Sequence, residues 1–254
     1  GFNISSTTGG PAILGDSINS ARLEDISVQG VEQGHGILFR NSTGLITLDN
    51  VNVLRANPAD INSAVDLDSF RVEGGTANIQ YTNSTIENTQ NRAVRILGAG
   101  GRIDMRTVDI TSRFTAAPTS LDEGVIVQNS SADVLFGPLA LQNGTIDLLN
   151  NTGDITFASP VLLQRSQPNP ENPNGFPFRV DGSSGQIVFN PGASLTIIDR
   201  PDYAMDLRNI SGSIYFHDDI TITGSSGLGV FDGGLIWQEN SGSFTMDGLF
   251  SMDD

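Results

Sequence analysis

The sequence predicts an all-β protein: a right-handed parallel β-helix, or solenoid, of about nine coils, with three short strands per coil and insertions at one corner. Three observations on the 254-residue chain support this prediction. An alternating apolar pattern recurs nine times, a polar turn occupies the same place in each repeat, and most variation in repeat length falls at one position. We therefore interpret residues 1–254 as a single β-helix domain.

Four apolar positions define the first two strands of each repeat. An anchor residue is followed by apolar residues two, nine and eleven positions later, and all four positions are apolar in every repeat. Because only 37% of the chain is hydrophobic, this agreement indicates two strands that each bury one face. The anchors are Ala12, Ile37, Phe70, Val94, Val125, Ile146, Phe178, Met205 and Leu235. Four phenylalanines at the last of these positions are expected to stack inside the coils: Phe136, Phe157, Phe189 and Phe216.

A tight turn separates the first strand from the second. All but one of the residues four positions after the anchor are of types that tolerate the left-handed αL conformation. They are Asp16, Asn41, Gly74, Gly98, Asn129, Asn150, Gly182, Asn209 and, as the exception, Glu239. A fixed turn between fixed strands makes successive repeats superimposable, so the repeats are predicted to stack in parallel.

A third short apolar strand follows in most repeats, for example at residues 26–28 and 220–222. The segment after this strand carries the insertions, because the spacing between anchors varies from 21 to 33 residues. The longest connecting segments are residues 54–69, 111–124 and 163–177. We expect them to project from one corner of the solenoid.

This pattern resembles the right-handed parallel β-helix superfamily with the pectin-lyase-like fold. That superfamily includes pectate lyases, polygalacturonases, phage tailspikes and large bacterial surface proteins, and the repeats here are most like those of surface, adhesin or filament proteins. The resemblance covers the whole chain, but its motif is a motif of fold. It therefore implies an architecture and leaves the function open.

Two short motifs raise the hypothesis of a glycoside hydrolase. Gly34-His35-Gly36 resembles the Gly-His-Gly element of polygalacturonases, and His217-Asp218-Asp219 resembles their paired aspartates. In that family the aspartates come first and lie a coil or so away, whereas here the order is reversed and about seven coils, roughly 30 Å, intervene. One inverting site cannot contain both motifs, so His35 is interpreted as a turn residue and His217 as an exposed strand residue.

Composition excludes several classes of function. The net charge of −16 argues against a nucleic-acid surface, and the absence of Cys and Lys, with 13 Arg as the only basic residues besides His, excludes thiol and lysine chemistry. No apolar run approaches the ~18 residues of a membrane span, and Gly1 does not begin a signal peptide. Neither end carries a recognisable cap, which predicts a segment of a longer chain or fibre.

Charged residues on the outward side of the first strands are the candidate ligand-binding residues. In the predicted register Arg179 stacks on Asp206, Asp181 stacks on Arg208, and Arg40 faces Glu73, so an exposed charge ladder is the first interpretation. The second interpretation is that these residues form a surface that binds a polysaccharide. The candidates are Arg71, Arg95, Arg179, Asp181, Asp206 and Arg208.

Two of these candidates, Arg71 and Arg95, are like charges on adjacent coils. Their repulsion requires a nearby anion, which the sequence offers as Glu73 on the diagonal. A bound acidic sugar or sulfate is the alternative.

No cofactor is predicted, although acidic loops at the corners keep the binding of Ca²⁺ as an alternative. None of these loops has the ligand spacing of a known calcium motif, so solvated loop acids are favoured. The groups are Asp60 with Asp66 and Asp68, Asp122 with Glu123, and Asp199 with Asp202. Seven Asn-x-Ser/Thr triplets also occur, and most coincide with the αL turn, which explains them without glycosylation.

Two functions follow as hypotheses. The first is a non-catalytic extracellular or cell-surface module, a rigid stalk, adhesin segment or filament subunit, whose partners are copies of itself end to end or neighbouring domains. The second is a polysaccharide-acting lyase or hydrolase, or a carbohydrate-binding module, that uses the first-strand face and the long corner loops. We favour the first because no clustered catalytic constellation is visible.

Overall fold

The computed structural model describes residues 1–5, 9–31, 34–55, 68–88, 92–113, 123–164, 176–200, 204–224 and 234–253. Within these residues the chain forms 26 β-strands and no helix. The strands belong to two parallel sheets, one of nine strands and one of seventeen. The prediction of an all-β, parallel architecture is confirmed, and these long sheets are compatible with a parallel β-solenoid.

The nine-stranded sheet contains the predicted first strands, and each strand pairs with the next one of the set along the chain. Its members are β2 (Ile13–Asp16), β4 (Ile37–Arg40), β6 (Phe70–Glu73), β9 (Val94–Leu97), β12 (Glu123–Gln128), β15 (Thr145–Leu149), β18 (Phe178–Asp181), β21 (Met205–Arg208) and β24 (Leu235–Gln238).

The seventeen-stranded sheet contains the predicted second and third strands. Its members are β1 (Phe2–Ser5), β3 (Ala21–Gln29), β5 (Leu45–Arg55), β7 (Asn78–Thr82), β8 (Ser84–Asn88), β10 (Arg102–Met105), β11 (Val108–Arg113), β13 (Asp133–Phe136), β14 (Leu139–Gln142), β16 (Ile155–Phe157), β17 (Val161–Gln164), β19 (Gln186–Phe189), β20 (Leu195–Arg200), β22 (Ser213–Phe216), β23 (Ile220–Gly224), β25 (Ser243–Met246) and β26 (Phe250–Asp253).

The pairing register matches the predicted repeat from the second repeat onward. The anchors pair in sequence from Ile37 with Phe70 to Met205 with Leu235. The position nine residues after the anchor also pairs as predicted along the whole chain, from Ala21 with Ile46 to Ile214 with Phe244.

The first strand of the first repeat was predicted one residue out of register. Ile13, not Ala12, pairs with Ile37, and Gly15 pairs with Phe39. A Cβ atom on Gly15 would lie 2.6 Å from Cδ1 of Phe39, so the core accepts only glycine there. Leu14 consequently points outward and is 55% exposed.

The αL turn is confirmed, with the same shift in the first repeat. Asn41, Asn129, Asn150 and Asn209 have φ between 49° and 53°, and the glycines at this position also have positive φ. Ser17, not Asp16, adopts φ of 54°. Glu239, the one residue of an unfavoured type, also adopts φ of 56°, so the stacked turn imposes its geometry on a residue that does not favour it.

The core runs continuously between the sheets. The four predicted stacking phenylalanines are all fully buried, and the ring of Phe189 lies 4.3 Å from both Phe157 and Phe216 with interplanar angles of 18° and 19°. Phe136 continues the stack at 5.4 Å from Phe157. Parallel offset rings at these distances add to the burial of apolar area.

The third strands differ from the prediction in two respects. In the first two repeats the second and third strands are one continuous strand, β3 and β5, that passes through αL residues Asp25 and Asn50. Strand β8 was not predicted. Ser84 and Asn88 of β8 are polar but buried, and each is hydrogen-bonded, Ser84 to Thr82 and Asn88 to Arg92.

Candidate functional site

The outer face of the nine-stranded sheet holds all the candidate ligand-binding residues. Side chains at alternate positions of its strands point away from the core. In one column Leu38 pairs with Arg71, Arg71 with Arg95, and Arg95 with Ile126. Leu38 and Ile126 do not belong to the core cluster, yet they are only 3% and 2% exposed. Arg71 and Arg95 therefore lie between two shielded aliphatic side chains, where repulsion between like charges is strong.

Asp68 is the anion around which this part of the face is built. Its side chain is fully buried, and its Oδ2 accepts a hydrogen bond from Nη1 of Arg71 at 3.0 Å. Nη1 of Arg92 lies 3.8 Å from Oδ1. The side chains of Arg71 and Arg92 are only 13% and 10% exposed, so the pairs are screened little by solvent. We call His35, Asp68, Arg71, Arg92 and Arg95 the Asp68 cluster.

Burial raises the pKa of Asp68, and the charges of Arg92, Arg71 and Arg95 oppose that shift without cancelling it. The arginines are therefore held around a carboxylate that the interior disfavours in its charged form. The positive charges of the arginines and the negative charge of Asp68 compensate each other.

His35 belongs to this cluster, which the sequence did not predict. Its Nδ1 accepts a hydrogen bond from the backbone N–H of Asp68 at 3.1 Å and lies 3.5 Å from Oδ2 of the same residue. An Nδ1 that accepts a hydrogen bond carries no proton, so Nε2 is the protonated nitrogen in the neutral ring. The predicted turn position of His35, just before β4, is correct, but its side chain helps to fix the start of β6.

Glu73 is a second carboxylate that compensates the charge of Arg71. It accepts a hydrogen bond from Nη2 of Arg71 and another, at 2.8 Å, from Nε of Arg40. Arg40 in turn lies 3.9 Å from Asp16. Burial alone would raise the pKa of Glu73, but the hydrogen bond from Arg40 and the charge of Arg71 outweigh it and lower that pKa.

The second charged group lies further along the same face, on β18 and β21. The predicted stacking is confirmed, since Arg179 pairs with Asp206 and Asp181 with Arg208. Nη2 of Arg179 donates to Asp181 at 2.9 Å, and the Nε atoms of Arg179 and Arg208 lie 3.8 and 2.5 Å from Asp206.

One feature of this second group was predicted wrongly. The ladder was expected to be exposed, but Asp206 is only 2% exposed, while the arginine side chains on either side are 40% and 38% exposed. Burial raises the pKa of Asp206, and Arg208 and Arg179 oppose the shift. Phe176 adds a cation–π contact, with its ring 6.0 Å from the guanidinium of Arg208.

These contacts define what the face can do chemically. Arg71, Arg179 and Arg208 each lie within ion-pair distance of a carboxylate, and such an arginine is a poor general base. Three strand spacings of ~4.8 Å separate β9 from β18, so the two charged groups are about 14 Å apart and cannot act on one bond. Neither group brings two carboxylates together without an arginine between them.

The two motifs that resembled hydrolase elements remain in separate repeats. His35 precedes β4, whereas His217 follows β22 and lies 3.5 Å from Asp247, which also accepts a hydrogen bond from Tyr215. Asp218 and Asp219 accept hydrogen bonds from backbone N–H groups of Gly192 and Leu249. Their role is to fix turns.

The calcium hypothesis falls mostly on residues outside those described: Asp60, Asp66, Asp122 and Asp202, together with the side chains of Glu123 and Asp199. Asp68 is described and is surrounded by arginines, which disfavours a cation there. In the described part of the chain no group of three or more His, Asp or Glu residues is placed to hold a metal ion.

Comparison of the chain with protein-family models, curated proteins and solved structures found no match. Within the described ranges there is no helix long and apolar enough to cross a membrane.

Proposed function

We propose that this protein is a non-catalytic structural or adhesive module, a rigid stalk or filament subunit of an extracellular or cell-surface protein. The observation that carries the proposal is the compensation of charge on the outer face of the nine-stranded sheet. Arg71, Arg179 and Arg208 are each held by carboxylates of the same face, so their charges stabilise the stacked strands. A face built this way serves rigidity better than it serves proton transfer.

The finer architecture is part of the same proposal. The chain is a right-handed parallel β-helix of about nine coils with three strands per coil, and it belongs with the pectin-lyase-like superfamily. The alternation of strands between the two sheets and the constant register of the anchors support it. Nine coils at a rise of ~4.8 Å make a rod of roughly 43 Å.

The proposed partner is a second copy of the chain, stacked end to end. The last strands leave apolar side chains exposed at positions that are buried one strand earlier. Trp237 and Met252 are 39% and 53% exposed, whereas their partners Leu207 and Ile222 are 0% and 5% exposed. Strands at such an edge also offer unpaired backbone groups, and a head-to-tail contact of this kind repeats into a filament.

Multi-angle light scattering over a concentration series tests this proposal. We expect the mass to rise with concentration, and the double variant Trp237→Glu/Met252→Glu to abolish the rise because it places charge on the apolar edge. Leu135→Glu is the matched control, since Leu135 points outward from β13, which lies several strands from either end of the sheet. A strictly monomeric protein would contradict end-to-end stacking.

Catalysis is tested separately on a panel of acidic and neutral polysaccharides. The release of new reducing ends and the absorbance of unsaturated uronates report hydrolases and lyases respectively. We expect no turnover above the buffer control. Turnover that is lost in Arg71→Ala or Arg179→Ala would replace the structural role with the enzymatic alternative.

A further inference from the structure

Strands β1 and β26 belong to the same face of the seventeen-stranded sheet, one in the first repeat and one in the last. Strand β1 pairs with the second half of β3, so that Ser5 lies beside Gln29. Strand β26 pairs with β23, so that Ser251 lies beside Thr221. The register from strand to strand joins these residues in one column, which runs through Ser5, Gln29, Leu54, Glu87, Thr111, Ala140, Leu162, Thr196, Thr221 and Ser251.

This register decides which strands meet in an end-to-end stack. When β24 of one copy pairs with β2 of the next, and β25 pairs with the first half of β3, the strand left for β26 is the second half of β3. Strand β1 already pairs there, with Ser5 beside Gln29 in the place that Ser251 of the other copy would take. Two strands cannot occupy one edge, so the stack closes only when β1 leaves β3.

The inward side chains of the two edges fit each other in size. Trp237 and Gly15 are the two ends of one column, so the indole of one copy would lie over the glycine of the next. Phe244 and Ala21 are the ends of another column. The largest side chains of one edge therefore face the smallest residues of the other, which is what close packing without overlap requires.

The outward side chains of the same edges add charge complementarity. In this register Arg22 of one copy lies opposite Thr245 of the other, and Asp247 is two residues further along. The side chains of Arg22 and Asp247 are 73% and 55% exposed, and a diagonal neighbour on an adjacent strand is within reach of a long side chain. Arg22 also donates a hydrogen bond to Glu24, so it would lie between two carboxylates.

Strand β1 is suited to leave. It has four residues, its Phe2 is 67% exposed, and β26 has four residues that can make the same ladder of backbone hydrogen bonds with β3. The exchange therefore keeps this ladder and adds the contacts of β24 with β2 and of β25 with β3, as in strand addition at a sheet edge. We propose that β26 of one copy displaces β1 of the next from β3, so that β1 is a removable cover that controls stacking. This inference rests on the proposed end-to-end stacking and adds its control.

The first test locks β1 in place with the disulfide variant Ser5→Cys/Gln29→Cys. The chain has no cysteine, both positions are exposed Cα partners, and a strand spacing of ~4.8 Å suits a disulfide. In light scattering, oxidation should raise the concentration at which the mass increases by at least about tenfold over the reduced protein. Thr156→Cys/Val188→Cys, a pair on adjacent strands in the middle of the sheet, is the matched control and should associate equally in both states.

The outcomes separate this inference from the stacking on which it rests. Equal association of Ser5→Cys/Gln29→Cys in both redox states would overturn the displacement of β1 and leave end-to-end stacking intact. Absence of association in both variants and both states would contradict stacking itself, and the displacement with it.

The second test traps the exchanged strand with Gln29→Cys/Ser251→Cys. These residues become neighbours only between copies, so oxidation should give a ladder of covalent oligomers on a non-reducing gel. Ala140→Cys/Ser251→Cys is the matched control, because Ala140 is exposed in the same column but lies four strand spacings, about 19 Å, from Ser251 and meets no stacked copy. No ladder from Gln29→Cys/Ser251→Cys, or an equal ladder from the control, would overturn the proposal.

Discussion

Replacing Phe189 by alanine tests the stacked core at its centre. The ring is fully buried and lies 4.3 Å from rings on the strands before and after it, Phe157 and Phe216. Removing it leaves a cavity that neighbours on a regular sheet cannot fill, because the strand pairing fixes their backbones. The lost free energy of unfolding therefore has three sources: the apolar area no longer buried, the cavity, and two ring contacts.

The magnitude follows from comparable truncations. Buried Phe→Ala substitutions cost about 3–5 kcal/mol, and two lost aromatic contacts place Phe189 near the upper end, about 5 kcal/mol. With an m-value of about 3 kcal/mol/M in urea, the unfolding midpoint should fall by about 1.5 M. Phe244, which is only partly buried at the end of the same stack, should lose about half as much when changed to alanine.

Equilibrium urea unfolding followed by circular dichroism gives these midpoints. Val188→Ala is the control, because Val188 lies on the same strand and points outward. It should shift the midpoint by less than about 0.3 M. Equal shifts for Phe189→Ala and Val188→Ala, or a larger shift for Phe244→Ala, would refute the continuous stacked core.

Two further predictions concern charge and turn geometry. The pKa of Glu73 is lowered, so the stability it contributes is present above its ordinary value of 4.5 and is lost as pH falls through the lower folded value. Glu73→Gln should therefore cost about 1–2 kcal/mol at neutral pH and progressively less as the pH falls below 4.5, and a cost independent of pH would contradict the ion-pair assignment. Glu239 adopts φ of 56°, a conformation that glycine adopts without strain, so Glu239→Gly should raise the free energy of unfolding by about 1 kcal/mol. No stabilisation in urea unfolding, or a loss as large as for a glycine placed mid-strand, would show that the turn is relaxed around Glu239.

The repeat could be read from the sequence because its signals are local. Apolar alternation and αL-tolerant residues recur at fixed spacing, and together they predicted the register of every anchor from Ile37 onward. The pairing of the first strand in the first repeat was predicted wrongly because Gly15 points inward. A search for alternating apolar residues does not recognise glycine as a core residue. Strand β8 was missed because Ser84 and Asn88 are buried polar residues satisfied by hydrogen bonds, so the strand lacks an apolar alternation.

The charged face was predictable to the same extent. Neighbours on adjacent strands, such as Arg179 with Asp206 and Arg40 with Glu73, follow directly from register. Asp68, His35 and Arg92 lie before their strands, where the repeat does not fix the path of the chain, so their convergence was not predicted. The burial of Asp206 was missed for a related reason, since strand register fixes neighbours within a sheet and not what shields the sheet from solvent.

Spin-label distances along the seventeen-stranded sheet test the central claim, a rigid rod of stacked repeats, most directly. The chain has no cysteine, so labels enter only where cysteines are introduced. In the column that runs from Gln80 through Leu135 to Thr245, successive neighbours are Cα partners on adjacent strands. Four strand spacings between Leu135 and Thr245 predict about 19 Å, and six between Gln80 and Thr245 predict about 29 Å. Narrow distributions at these distances are the expected result; broad distributions, or distances that do not grow with the number of intervening strands, would contradict the rod.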